Sequence, residues 1–548
     1  MYNRKYTNLR EHLQILEQKG LLVRVTREIN KDTELHPLVR WQFRSNIPES
    51  ERKGFLFENV VDAKGKHYEF PVALGVLASS PEIYAAGLRC HVDEIVSKWE
   101  EAMASPIQPI TVEAGPVHEV VFSGDELNEE GKGLGMLPVP ISTPGFDNAP
   151  YTTCSHWITK DIETGIQNAG NYRGQIKGPK KIGCYNQPGQ HFTLHLEKYK
   201  EKGIPMDAAL VIGGPPVVAY ATVQKVPYGV DEMAIAGSLA GGQIHMVKCR
   251  TVDLLVPAEA ELVIEGKVST EFYELEGPFG ESHGHMHPRE LSPFMEVTAI
   301  THRKDMIYVS FISQVTPSES SVIKKVGYEP MFLRFLRDQA GIKNVIRVKM
   351  HEAMTNLRKV VFIQMREASE AEAWRALMLA AGFHQGVGKI LVAVDEDINI
   401  DDLDALLWAI SYRCRLHKDV QIITGQEKGH APPFHYFSGV SEDRVVFQEA
   451  ADDSCTLINA TLKMPFPPVS LPKKEYMERA AEIWEELGLP KFEKKYPWYG
   501  YSLGQWDEEL EEESELALKG DHYITGKKLA QKKVKMSSKK GAMIKSYK

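Results

Sequence analysis

AALVI (Ala208–Ile212), PVVAYA (Pro216–Ala221), LLV (Leu254–Val256) and ELVIE (Glu261–Glu265) are short apolar runs separated by glycine, proline and polar residues. Short runs of this kind, bounded by turn formers, read as strands. YVSFI (Tyr308–Ile312) repeats the texture soon afterwards. Glycine-punctuated strands over Pro140–His302 predict a small barrel or sandwich at the centre of the chain.

The flanks read differently. Asn8 precedes Leu9, Leu13, Leu16 and Leu21 at nearly helical spacing, which predicts a capped amphipathic helix. Glu82–Leu88 and Val92–Met103 predict two more helices, and Pro106–Pro138 reads as a crossing linker rich in Pro, Gly and acids. On the C-terminal side, Val322–Gly341 is helical in pattern. Val360–Met365, Ile390–Val394 and Val420–Thr424 read as strands, with helices at Ala371–Ala381 and Leu403–Tyr412 between them. That alternation predicts parallel pairing through right-handed crossovers. Glu475–Leu487 is amphipathic, with Tyr476, Ala480, Ile483, Trp484 and Leu487 on one face; Gly488 stops it and Pro490 follows.

A chain of 548 residues exceeds one compact core, so roughly two to four domains are expected. Apolar content of 43% and charged content of 25% are those of a soluble globular protein. No stretch reaches the roughly 18 unbroken apolar residues of a membrane span, and the N-terminus lacks a secretory h-region. Cys90, Cys154, Cys184, Cys249, Cys414 and Cys455 are scattered without a CxxC pair, which fits reduced thiols in the cytoplasm. The net charge of −9 hides an asymmetry. Lys519–Lys548 holds ten lysines and one acid, just after seven acids in Asp507–Glu515. The pattern is that of a solvated, mobile end or of a site for an anionic partner. With an acidic body and no basic patch interleaved with aromatics, nucleic acid is not an expected partner.

Five clusters carry candidate chemistry. Glu276-Gly-Pro-Phe-Gly-Glu281 places two carboxylates on a tight turn. Beside one arginine, such a pair can hold one carboxyl protonated near neutral pH and so serve as a general acid. Asn168-Ala-Gly-Asn-Tyr-Arg173 offers a neutral oxygen ligand, small residues and a guanidinium suited to carboxylate or phosphate. Gln190-His191 and Tyr228–Gly237, with Glu232, complete an Asn/His/Glu set that suits Mn2+ or Mg2+ shared with a phosphate. His283, His285 and His287 share one face if extended, which leaves a metal-dependent hydrolase as an alternative. A non-catalytic flavin-binding protein is the third class. No GxxxxGK[ST] or strand-following GxGxxG is present, which removes P-loop and Rossmann readings.

Asn168…Arg173, Gln190-His191, Glu232 and Glu276-GPFG-Glu281, in this order, resemble the UbiD family of prenylated-FMN-dependent (de)carboxylases. The resemblance spans most of the chain. It implies a mixed α/β multidomain protein: an N-terminal α/β domain (1–110), a central split β-barrel of flavin-reductase type that binds the flavin (111–320), and a C-terminal α/β domain (321–470). An oligomerisation helix (471–505) and a charged tail (506–548) follow. The activity implied is reversible non-oxidative decarboxylation of an aromatic or α,β-unsaturated acid through a covalent prenylated-FMN adduct. Arg173, Glu276 and Glu281 match the catalytic set, with Glu281 as proton donor. Asn168, His191 and Glu232 match the ligands of a divalent metal, usually Mn2+. Thr153, Gln190 and, more loosely, Lys389 match cofactor contacts, and K+ is implied near the backbone of Ala221–Gln224. A flavin prenyltransferase as cofactor supplier and a homo-oligomer, dimer or hexamer, are the partners implied. The substrate is left between free aromatic acids and aroyl-CoA thioesters of the phthaloyl-CoA type.

Overall fold

The computed structural model describes residues 5–185, 187, 189–224, 226–282, 284–287, 289–351, 359–383, 388–426, 435–441, 444–449, 453–494 and 502–531. The chain divides into two compact units, one of residues 1–394 with 414–459 and one of 395–413 with 460–548.

The first unit opens on the helix Leu9–Gln18. Asn8 accepts from the N–H of Glu11 at 2.9 Å, and Glu11 accepts from the N–H of Asn8 at 3.0 Å, a reciprocal cap that satisfies two end donors. Its buried face is Leu9, Leu13 and Leu16. The N-terminal sheet runs Leu22–Val25, Gly54–Phe57, Val72–Leu74, Tyr308–Ser310. Its last strand comes from the YVSFI run, pairing parallel with Val72–Leu74, so that run completes this sheet rather than the central one.

The central sheet consists of β1 (Val120–Ser123), β2 (Tyr151–Thr152), β3 (His156–Lys160), β4 (Gln167–Asn171), β5 (Gly174–Gly178), β6 (Lys181–Cys184), β7 (Met206–Ile212), β8 (Leu262–Val268) and β9 (Phe294–His302). The path β4-β3-β7-β8-β9-β6-β5-β2 is antiparallel throughout, and β1 adds to β9. The path ends at β4 on one side and β2 on the other, so the curled sheet stays open as a split half-barrel. Ala208–Ile212 is buried on both faces because helix α1 (His191–Glu201) packs over β3, β4 and β7. This is why the run reads as continuously apolar rather than alternating.

PVVAYA is not a strand. Pro216–Thr222 forms helix α2, followed by α3 (Glu232–Ala240). Pro216 sits in the first turn, where its fixed φ and missing N–H suit a helix. Complete burial of the segment outweighs the weak strand preference of Val217 and Val218. Helix α4 (Glu319–Arg334) then leads to the C-terminal sheet, ordered Val345–Lys349, Val360–Met365, Ile390–Asp395, Asp453–Asn459, Val420–Gln426. Ile390–Asp395 and Asp453–Asn459 pair in parallel, but Val345–Lys349 with Val360–Met365 and Val420–Gln426 with Asp453–Asn459 are antiparallel. The sheet is therefore mixed, not parallel throughout.

In the second unit Arg413 is buried between Asp395 and Asp397, at 3.0 and 2.6 Å. The helix Lys474–Glu486 leaves Tyr476, Ile483 and Trp484 exposed, and Leu487 just beyond it. The acidic run forms the helix Glu508–Leu518, capped by Asp507, and Lys528 of the helix His522–Gln531 bridges Glu509 and Glu513. The remainder of the basic tail, residues 532–548, lies outside the described residues. All six cysteines are free thiols. Among the described residues no helix is long and apolar enough to cross a membrane.

Candidate active site

Arg173 leaves β4 just before β5, and the Glu276 turn is carried by the short strands Glu274–Glu276 and Phe279–Gly280. The two glycines of that turn have separate reasons. Gly277 holds φ +100°, a conformation side-chain-bearing residues rarely adopt. A Cβ on Gly280 would lie 2.6 Å from Cγ of Gln314. Together they let Glu276 and Glu281 converge on one cation. Arg173 donates from Nε and Nη2 to the two oxygens of Glu276, at 2.9 and 2.7 Å, and from Nη1 to Glu281. The Glu276 side chain is wholly buried, while that of Glu281 keeps 20% exposure. Burial alone would lower the Arg173 pKa; the two carboxylates outweigh it and raise it above the ordinary value.

A cavity of about 420 Å3 brings together Arg173, Glu281, Thr153, Asn168, Gln190, His191 and Glu232. Glu276 sits behind Arg173. Nδ1 of His191 lies 2.8 Å from the Asn168 side-chain amide, and Glu232 accepts from the N–H of Ala169 at 2.9 Å. Burial pushes the Glu232 carboxyl up to about 8. A cation beside it would favour the charged form, and the Asn/His/Glu donors suit a hard or borderline divalent ion. Gln190 is the N-cap of α1 and His191 its first residue, so the positive end of an eleven-residue helix borders the same donors, as an anionic phosphate requires. The residues present thus fit a flavin phosphate held through a metal. Thr153 accepts from the N–H of Phe311 at 2.8 Å, and Thr222, Val223 and Gln224, within the segment matched to K+, also line the cavity.

Lys389 is not brought to this cavity; its ammonium pairs with Asp453. Instead Lys324 lines the cavity, on a face of α4 shared with Ser320, Ile323 and Tyr328. Ser320, Lys324 and Tyr328 recur at one-turn spacing in SSVIKKVGY, a pattern legible in the sequence. Tyr185 and Phe279 are further lining residues that the sequence left unassigned. Of the histidine cluster, His287 pairs with Phe279 across two short strands, and the carbonyl of His285 accepts from the N–H of Glu281 at 2.9 Å. His283 lies outside the described residues. Among the described residues no group of three His, Cys, Asp or Glu side chains could hold a metal ion.

Comparison with known proteins agrees with this architecture. Residues 13–103, 110–315 and 321–435 match the N-terminal, Rift-related and C-terminal domains of the 3-octaprenyl-4-hydroxybenzoate carboxy-lyase family, UbiD. An uncharacterized protein of Archaeoglobus fulgidus is 30% identical, covering 76% of this chain and 86% of its own length. The solved UbiD-class enzyme HmfF of Pelotomaculum thermopropionicum, in complex with FMN, is 31% identical with a TM-score of 0.73, covering 87% of this chain and all of its own. An evolved dimeric form of HmfF, in complex with prFMN, is 30% identical with a TM-score of 0.71, covering 85% of this chain and 97% of its own. Vanillic acid decarboxylase of Sedimentibacter hydroxybenzoicus, at 24% identity and TM-score 0.71, covers 88% of this chain and 99% of its own and shares the fold. On three matched domains and a relative aligned over most of both lengths, the chain belongs to the UbiD family of carboxy-lyases.

Proposed function

We propose that this protein catalyses reversible, non-oxidative decarboxylation of an aromatic or α,β-unsaturated carboxylic acid with prenylated FMN bound in the cavity. One observation carries the reading: Arg173, paired with Glu276 and Glu281, lies on the wall of the same cavity that Asn168, His191 and Glu232 line. A flavin-binding solved relative at 31% identity supports the choice of cofactor class.

The prenylated flavin supplies the electron sink when bound. Everything else falls to the chain. Asn168, His191 and Glu232 would hold Mn2+ or a similar divalent ion, and the N-terminus of α1 would face the cofactor's phosphate. Thr153 and Gln190 would border the cofactor, and a K+ would be held near Ala221–Gln224. Two carboxyls share one guanidinium, which holds both side chains at one point. Glu281 is the one that opens on the cavity, and as general acid it delivers a proton to the carbon that CO2 has left. Glu276 stays buried behind Arg173 and fixes its orientation. In the reverse direction Glu281 takes the proton, and CO2 concentration sets the balance.

The substrate is a free aromatic acid or an aroyl-CoA thioester. A flavin prenyltransferase supplies the cofactor, the protein works in the cytoplasm, and the apolar face of Lys474–Glu486 serves a homo-oligomer. The test is CO2 release from a panel of aromatic acids and aroyl-CoA thioesters, after co-expression with a flavin prenyltransferase. Turnover of at least one acid, lost in Glu281→Gln with cofactor retained, is the expected result. Undiminished turnover by that variant would remove Glu281 from its role.

A further inference from the structure

The guanidinium of Arg173 is bounded by more than its two carboxylates. Its central carbon lies 3.9 Å from the ring centre of Tyr185 and 5.0 Å from that of Phe279. The contacts continue outward. The Tyr185 ring is 5.2 Å from His287, and Phe279 is 4.5 Å from Tyr151. Strand pairing fixes this order, because Phe279 is the register partner of His287, and Tyr185 follows directly on β6 with its N–H directed at the carbonyl of Arg173. His287, Tyr185, Arg173, Phe279 and Tyr151 form one continuous set of ring and guanidinium contacts. It accounts for two things the chemistry above leaves over: the phenylalanine inside GPFG, and the last histidine of the 283–287 cluster.

We propose that Tyr185 and Phe279 are positioning residues that hold Arg173 in place while Glu281 changes protonation state. This rests on the role proposed above for Glu281. When Glu281 is ionised, Arg173 is held from both carboxylates. When Glu281 carries a proton, the pull on Nη1 weakens and the hold falls to Glu276, with Asp147 a further acidic group near the guanidinium. A ring face attracts a desolvated guanidinium whatever the state of Glu281. Tyr185 and Phe279 therefore supply the part of the restraint that does not switch. If the guanidinium drifted from Glu281, that carboxyl would lose its positively charged neighbour.

The test compares Tyr185→Phe, Tyr185→Leu and Phe279→Leu in the cofactor-loaded protein, reading kcat, KM and the pH–rate profile, with crystal structures of the variants. Tyr185→Phe keeps the ring and retains most of the turnover. Tyr185→Leu lowers kcat by about tenfold with KM within about twofold, moves the limb governed by Glu281 to higher pH, and shows Arg173 displaced from Glu281. Phe279→Leu gives a smaller change in the same direction, and stands in if Tyr185→Leu fails to fold. Leucine variants with unshifted profiles and an unmoved Arg173 would overturn the proposal, as would Tyr185→Phe as damaged as Tyr185→Leu. A wild-type chain inactive on every acid would instead overturn the proposed function, and the position of Arg173 in the crystal structures would still decide the restraint.

Discussion

The carboxylate of Glu276 takes both Nε and Nη2 of Arg173, at 2.9 and 2.7 Å, with no exposure of its own. A buried pair broken from one side leaves the other charge uncompensated, which costs about 3–5 kcal/mol. Glu276→Ala is therefore expected to lower folding stability by that order in urea denaturation, as well as abolishing turnover. Glu276→Gln keeps an acceptor and should cost less.

Glu319, the first residue of α4, accepts from the N–H groups of Gly75, Leu77, Ala78 and Ile312 at 3.0–3.4 Å. Burial pushes its carboxyl from 4.5 up to about 7, against the pull of those donors. A raised carboxyl favours the fold most below its unfolded pKa, and that contribution is lost as pH rises through about 7. Wild-type stability should thus fall between pH 5 and 8 by about 3 kcal/mol relative to Glu319→Gln. Chemical denaturation of both proteins across that range gives the difference directly.

Removing divalent metal should release the flavin. Dialysis against a chelator is expected to lower bound flavin, and Mn2+ to restore it. Glu232→Ala should weaken Mn2+ binding by more than about tenfold in titration calorimetry, since it removes one of three assigned ligands. Retention of full flavin after chelation would set this assignment aside.

Gly327 faces the cavity-lining Gln224, and a Cβ there would meet its Nε2 at 2.2 Å. Gly327→Ala should push Gln224 into the cavity and reduce flavin occupancy several-fold, read from the absorbance ratio of purified protein. A small loss of thermal stability is expected with it.

Much of the site was legible before any coordinates. Glu276 and Glu281 announce themselves because glycine and proline between two carboxylates leave few conformations, and Arg173 follows from its small-residue neighbours. Asn168, His191 and Glu232 are each ordinary alone; a shared order made them a set, and β4, α1 and α3 bring them to one cavity. What escaped depended on tertiary context. Val217 and Val218 look like strand residues, but burial and Pro216 make them helical. YVSFI looks like its sequence neighbours, yet pairs with Val72–Leu74 from the far end of the chain. Lys389 matched by position only, and Asp453, 64 residues later, takes its ammonium. Tyr185 and Phe279 gave no polar signal, because their contribution is a ring face against Arg173.

The most direct test is mass spectrometry of the small molecules released on denaturing the protein, after co-expression with a flavin prenyltransferase. The account predicts prenylated FMN at close to one equivalent per chain. No flavin of any kind would contradict it.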